Sequence, residues 1–219
     1  MNKLLTSMFA LAVASVTAFS AQAQEIKGDA KAGEQKIAMC IGCHGIQGYQ
    51  ASFPEIYRVP MISGQNAKYI VASLNAYKKG ERKHPTMRGI ADTLTEQDMA
   101  DLAAYYEQHG NIKPATKPVK TPDAKVAALL QKGACISCHG DNFNKPVDPS
   151  YPKIAGQHKD YLFVALKSYK VENQATWGRS NGVMGGIAKQ FTNAELKALS
   201  AYIAAQESEM KVIPQSRFR

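Results

Sequence analysis

The sequence predicts an all-α protein made of two tandem copies of one small helical domain. A five-residue run, Cys40-Ile41-Gly42-Cys43-His44, reappears as Cys135-Ile136-Ser137-Cys138-His139. The residues downstream of each run recur in the same order. Gly64-Gln65, Tyr69, Leu74 and Tyr77 match Gly156-Gln157, Tyr161, Leu166 and Tyr169 at an offset of 92, and Met87-Arg88-Gly89-Ile90-Ala91 matches Met184-Gly185-Gly186-Ile187-Ala188 at 97. Leu102 and Tyr105 match Leu199 and Tyr202 at the same 97. Self-similarity in a fixed order is the mark of a duplication. Within each copy, apolar residues recur at helical spacing and nowhere alternate as in a strand.

The N-terminus reads as an export signal. Met1-Asn2-Lys3, the apolar stretch from Leu4 to Phe19 and the A-x-A site Ala21-Gln22-Ala23 predict a signal peptide over 1–23, removed on export to the periplasm. Thr6, Ser7, Ser15, Thr17 and Ser20 interrupt the stretch, which falls short of the ~20 residues of a membrane span. No later stretch is long and apolar enough, so no transmembrane span is expected after removal. The remaining chain suffices for two domains of roughly 100 residues.

The first copy is expected over 24–110. Asp29 is a good N-cap for a helix running from Ala30 to about Met39 into the cysteine run, with Gly42, Gly45 and Gly48 turning it into a loop. A second helix over about 65–79 places Ile70, Leu74 and Tyr77 on one face and stops at Gly80. A third is opened by Thr95-Glu96-Gln97-Asp98, a capping box with Asp in place of Glu, and its inner face is Met99, Leu102, Ala103 and Tyr106. Residues 111–123 interleave Pro114, Pro118 and Pro122 with Lys113, Lys117 and Lys120, which predicts an extended, solvated linker.

The second copy is expected over 124–219. Val126, Leu129 and Leu130 lead into Cys135, and a helix over about 158–171 turns Leu162, Leu166 and Tyr169 inward. A full capping box, Thr192-Asn193-Ala194-Glu195, opens the last helix, which carries Leu196, Leu199 and Ile203. The tail from Glu207 to Arg219 is expected to be loose or to lie along the surface.

The chemistry lies in the two C-x-x-C-H runs. In an exported chain this spacing reads as covalent c-type haem attachment: Cys40 and Cys43, and Cys135 and Cys138, bind the porphyrin, and His44 and His139 are left to the iron. A thioredoxin-like pair or half a zinc site uses the same spacing, and disulfides form between free thiols in an oxidising compartment. None of these uses the adjacent histidines, and the chain has only these four cysteines. Two covalent haem c groups are therefore expected, one per domain.

What occupies the other face of each iron decides the chemistry. Met87 and Met184 are the methionines that fall at matching places, each read as lying in a loop before the last helix. They are the candidate ligands, pairing with His44 at the first iron and His139 at the second. Met39, Met61 and Met99 read as packing. His84 and His158, the competing ligands, have no histidine at the matching place in the other copy. The carbonyls near Pro60 and Pro152 are candidate acceptors for the second ring nitrogens of the two histidines, and Arg58, Arg82 and Arg179 are candidate counter-ions for haem propionates.

The formal charge of +9 is uneven: residues 24–110 carry ten Lys/Arg and ten Asp/Glu, whereas residues 111–219 carry sixteen and eight. The basic half is suited to an acidic redox partner or an anionic membrane surface. Nucleic acid, the other usual partner of a basic protein, is disfavoured by export and by lysines that are scattered instead of being grouped with aromatic residues.

With its two C-x-x-C-H-G runs, the chain resembles the two-domain, dihaem class I cytochromes c, the cytochrome c4 group. Pro60-Met61-Ile62-Ser63-Gly64-Gln65 and Pro152-Lys153-Ile154-Ala155-Gly156-Gln157 stand where that family has P-x-L-A-G-Q, followed by Tyr69 and Tyr161, then Met87 and Met184. The resemblance covers nearly the whole exported chain and departs from the family in the Pro/Lys segment before Cys135. It implies two cytochrome c-like domains, each a small helical bundle around its haem, and an electron carrier in a respiratory chain rather than an enzyme. Its donors and acceptors would be redox proteins such as a cytochrome complex and a terminal oxidase. A dihaem peroxidase also carries two C-x-x-C-H runs but needs an open iron position. The electron-accepting subunit of a periplasmic dehydrogenase fits the same residues.

Overall fold

The computed structural model describes residues 26–172 and 174–214. The predicted signal segment lies outside them. Ten helices and four two-residue strands are described. In chain order these are α1 Ala30–Glu34, α2 Ala38–His44, β1 Gln50–Ala51, β2 Tyr57–Arg58, α3 Ala67–Lys79, β3 Arg82–Lys83, α4 Pro85–Asp92 and α5 Glu96–Gln108. Then follow α6 Ala124–Lys132, α7 Cys135–His139, α8 Lys159–Ser168, β4 Gly178–Arg179, α9 Gly182–Ala188 and α10 Asn193–Ala204.

The first domain is built on α5. Its N-terminus is closed by the reciprocal box between Thr95 and Asp98, which satisfies amides that a helix end leaves bare. The inward residues Met99, Leu102, Ala103 and Tyr106 are buried with Ile37, Ile70 and Leu74 of the facing elements. Helix α1 crosses α5 closely because Gly33 has no side chain: a Cβ there would lie 2.1 Å from the Asp101 carbonyl oxygen. This contact explains why the helix expected to run unbroken into the cysteines is split. α1 is held on α5, a turn at 35–37 buries Ile37 in the core, and α2 begins after it at Ala38. The whole first cysteine run is helical, with Gly42 inside α2 and Gly45 ending it.

The second domain repeats the plan on α10, capped by Thr192 and Glu195, with Leu129, Phe191, Leu196 and Leu199 as its core. Met87 and Met184 differ from expectation. Both stand at the third position of short helices, α4 and α9, not in loops. The helices start because side chains cap them: His84 Nδ1 accepts from the Met87 N–H at 3.4 Å, and Asn181 Oδ1 from the Met184 N–H at 2.9 Å.

The domains join face to face. β3 of the first pairs antiparallel with β4 of the second, Arg82 opposite Arg179, and Arg58 binds Asp160 of α8 with Nε to Oδ2 at 2.9 Å. Residues 111–123 contain no helix or strand and are mostly exposed, but several of their amides are held by the C-terminal part of the chain. Ala115 donates to Glu209 Oε1 at 3.0 Å, and Thr116 and Lys117 donate to Glu207 Oε2 at 2.7 and 2.6 Å.

The expectation of a loose or surface-lying tail is thereby corrected for its described part. Met210 is 1% exposed and Glu209 8%. Lys211 forms a β-bridge with Ser63. The tail carboxylates satisfy the backbone of an extended segment, and Met210 fills the space between the domains.

Candidate haem sites

Helices α2 and α7 deliver both cysteine runs to one continuous cavity of about 650 Å³ between the domains. All eight predicted site residues line it: Cys40, Cys43, His44 and Met87 from the first domain, and Cys135, Cys138, His139 and Met184 from the second. His44 Nδ1 lies 2.8 Å from Pro60 O, and His139 Nδ1 lies 3.1 Å from Pro152 O. A carbonyl only accepts, so Nδ1 carries the proton and Nε2 keeps the lone pair a metal needs. Burial pulls both imidazoles below their usual range, which holds them neutral.

The thiols are free, and burial pushes Cys40 and Cys135 up. That is the reverse of a redox-active C-x-x-C pair, which needs a stabilised thiolate. Among the described residues, no three His, Cys, Asp or Glu side chains gather as a metal cage, so the zinc reading finds no further ligands. The walls are mostly apolar, with Val59, Ile62, Leu74 and Leu102 on one side and Ile154, Leu162, Ile187 and Leu199 on the other.

The remaining candidates separate. His84 lines the cavity, but its Nδ1 accepts from the Met87 N–H, so its Nε2, buried without a partner, carries the proton and offers iron no lone pair. His158 stands at the N-cap position of α8 and does not line the cavity. Arg58 is spent on Asp160. Arg82 and Arg179 do line the cavity, opposite each other on the β3–β4 ladder. Arg82 Nη2 donates to Tyr161 Oη at 2.7 Å and Arg179 Nη2 donates to the same oxygen at 3.2 Å.

Among the described residues neither guanidinium meets a carboxylate, and Arg82 Nε is buried with no partner at all. Burial alone would raise Tyr161, yet the two guanidiniums bring it down to about 8. Two half-buried guanidiniums whose hydrogen bonds go only to phenols are a site short of negative charge, as the edge of an anionic macrocycle would supply. An apolar cleft, thiols, a pre-oriented imidazole on each side and unpaired cations fit a pair of haems.

Sequence reasoning gave no role to Asn181, the counterpart of His84 three residues before the methionine, or to Gln65 and Gln157, which are each 4% exposed. The Gly-Gln pair that recurs in both copies was the available signal for the glutamines.

The cytochrome c family model matches the chain twice, over residues 30–109 and 124–207. Cytochrome c4 of Stutzerimonas stutzeri is 32% identical over 217 residues, 93% of this chain and 98% of that protein. A thiosulfate dehydrogenase electron acceptor from Thiomonas intermedia is 29% identical over 185 residues, 78% of this chain and 80% of the relative. The crystal structure of reduced recombinant cytochrome c4 from Pseudomonas stutzeri superposes with a TM-score of 0.59 at 29% identity, covering 82% of this chain and all of that one. The chain belongs to the cytochrome c family, as a two-domain electron carrier of the cytochrome c4 type with one covalently bound haem c in each domain.

Proposed function

We propose that the protein carries electrons in the periplasm between redox proteins of a respiratory chain, with a terminal oxidase as acceptor and His/Met ligation at both irons. Residues 1–23 are the export signal, 24–110 and 124–219 the two domains, and 111–123 the linker. Cys40 and Cys43 hold the first haem and Cys135 and Cys138 the second. His44 with Met87 would hold the first iron, and His139 with Met184 the second.

The observation that carries this reading is the repeated geometry. In each domain a histidine anchored through Nδ1 to a proline carbonyl and a methionine on a capped short helix line the same cavity. Bound there, haem supplies a one-electron iron couple, and a thioether opposite imidazole favours the reduced state. The chain's own work is to orient and exclude. Pro60 and Pro152 fix the imidazole rings, the helix caps at His84 and Asn181 fix the methionines, and the apolar walls keep water from the metal. Arg82 and Arg179 neutralise the propionates. With His44 and Met87 holding the first iron and His139 and Met184 the second, neither would be left open to peroxide.

Optical and spin-state spectra of the holoprotein test the assignment. Both ferric haems are expected to be low-spin with a weak long-wavelength methionine–iron band, and Met184→Ala removes that band from one haem and lowers its potential. A substantial high-spin fraction in the parent protein would refute it.

A second reading rests on the similarity to a thiosulfate dehydrogenase electron acceptor: the protein takes electrons directly from a periplasmic dehydrogenase subunit. Rapid reduction by such an enzyme with its substrate, and co-purification with it, would favour this role.

A further inference from the structure

The two glutamines of the repeated Gly-Gln pairs reach across the domain boundary. Gln157 Oε1 accepts from the Met61 N–H at 3.1 Å while its Nε2 donates to Met61 O at 3.0 Å. Gln65 does the same to Lys153: Oε1 accepts from the N–H and Nε2 donates to the carbonyl, both at 2.9 Å. The gripped residue directly follows the proline that anchors the haem histidine. Pro60 C=O and Met61 N–H are therefore two ends of one peptide unit, and Pro152 C=O and Lys153 N–H are two ends of another. Met210 sits between the glutamines, its Sδ 3.2 Å from Gln65 Nε2 and 4.0 Å from Gln157 Nε2.

We infer that each glutamine is a positioning residue for the axial histidine of the opposite domain, so that each iron's electron affinity is tuned by the domain it does not belong to. The inference rests on the histidine ligation proposed above. A hydrogen-bond chain runs from glutamine Oε1 through the peptide N–H and C=O to histidine Nδ1–H, and bonds in such a chain polarise one another. An acceptor at the N–H end makes the carbonyl a stronger acceptor from the imidazole. The ring then becomes a better donor to iron and stabilises its oxidised state. Both glutamines are buried, so water does not take over the bond when the side chain is lost.

Redox titration of the full-length holoprotein, with each haem followed through its own assigned haem-methyl proton signals, tests this. Gln157→Leu is expected to raise the potential of the first haem and leave the second unmoved. The expected change is about threefold or more in the reduction constant, ~28 mV at the 59 mV per tenfold of a one-electron couple. Gln65→Leu is expected to do the reverse. Gln157→Glu keeps an oxygen for the Met61 N–H and leaves the first haem at or below its parent value. If a leucine variant fails to load two haems, methionine, of similar length, replaces it with the same crossed result expected.

A shift confined to the haem of the mutated domain, an equal shift in both, or no shift overturns the inference. Failure of the ligation itself is distinguishable, because it shows as high-spin iron in the parent protein before any glutamine is changed.

Discussion

A histidine that is to hold a metal through one ring nitrogen must place the proton of the other. His44 and His139 do so on Pro60 and Pro152, and this pairing was legible in the sequence because proline follows each C-x-x-C-H run and opens a recurring motif. The methionines were legible as a recurring pair, but their helices were not. The N-caps are chemically different, His84 in one copy and Asn181 in the other, and α9 is rich in glycine. Of the three arginines read as counter-ions, sequence could not tell Arg58 from the others, since its partner Asp160 is 102 residues away. Arg82, whose Nε is buried without a partner, yields the clearest expectation at this level. A cation beside the macrocycle favours the electron-rich state, so Arg82→Gln lowers the potentials in a redox titration, and an unchanged or raised potential would remove Arg82 from the site.

Helix starts were the most legible elements, because a capping box is written in four consecutive residues. Thr95–Asp98 and Thr192–Glu195 close as read. Two-residue ladders are too short to show alternation, and β3–β4 joins segments almost a hundred residues apart. The contact of α1 with α5 also carries a pH dependence. Lys36 Nζ lies 2.6 Å from Asp98 and 2.7 Å from Asp101, and Asp101 Oδ1 accepts from the Asp29 N–H at 2.8 Å. Burial alone would raise Asp101, but Lys36, Asp29 N–H and Gln97 hold it below the ordinary carboxylate range. An unfolded aspartate titrates near 3.9, so this contribution is complete above about pH 5 and is lost as pH falls through the lower folded value. Melting temperature followed from about pH 5 to 2 is expected to fall more steeply for the parent than for Asp101→Asn. Parallel curves would show that Asp101 does not report on folding.

The duplication and the charge asymmetry were both visible without coordinates; how the copies face each other was not, because the contacts join residues far apart in the chain. The basic half includes the exposed Lys132 and Lys145 near the second cysteine run. If it docks the partner, the association rate falls with salt as the Debye length shrinks from about 30 Å at 0.01 M to about 10 Å at 0.1 M. Stopped-flow rates that ignore ionic strength would exclude steering.

The burial of Met210 and the hold of Glu207 and Glu209 on residues 115–117 bear on the order of biogenesis. The segment that makes these contacts, residues 207–211, lies at the end of the second domain, after both cysteine runs. Both cysteine runs are therefore synthesised before the segment that adds the last of the contacts across the domain boundary. A chain stopped after Ala205 should still acquire both haems but, with only the β3–β4 ladder, the Arg58–Asp160 pair and the glutamine bonds left across the boundary, hold its domains less tightly, a difference that small-angle scattering reads as a modestly larger radius of gyration.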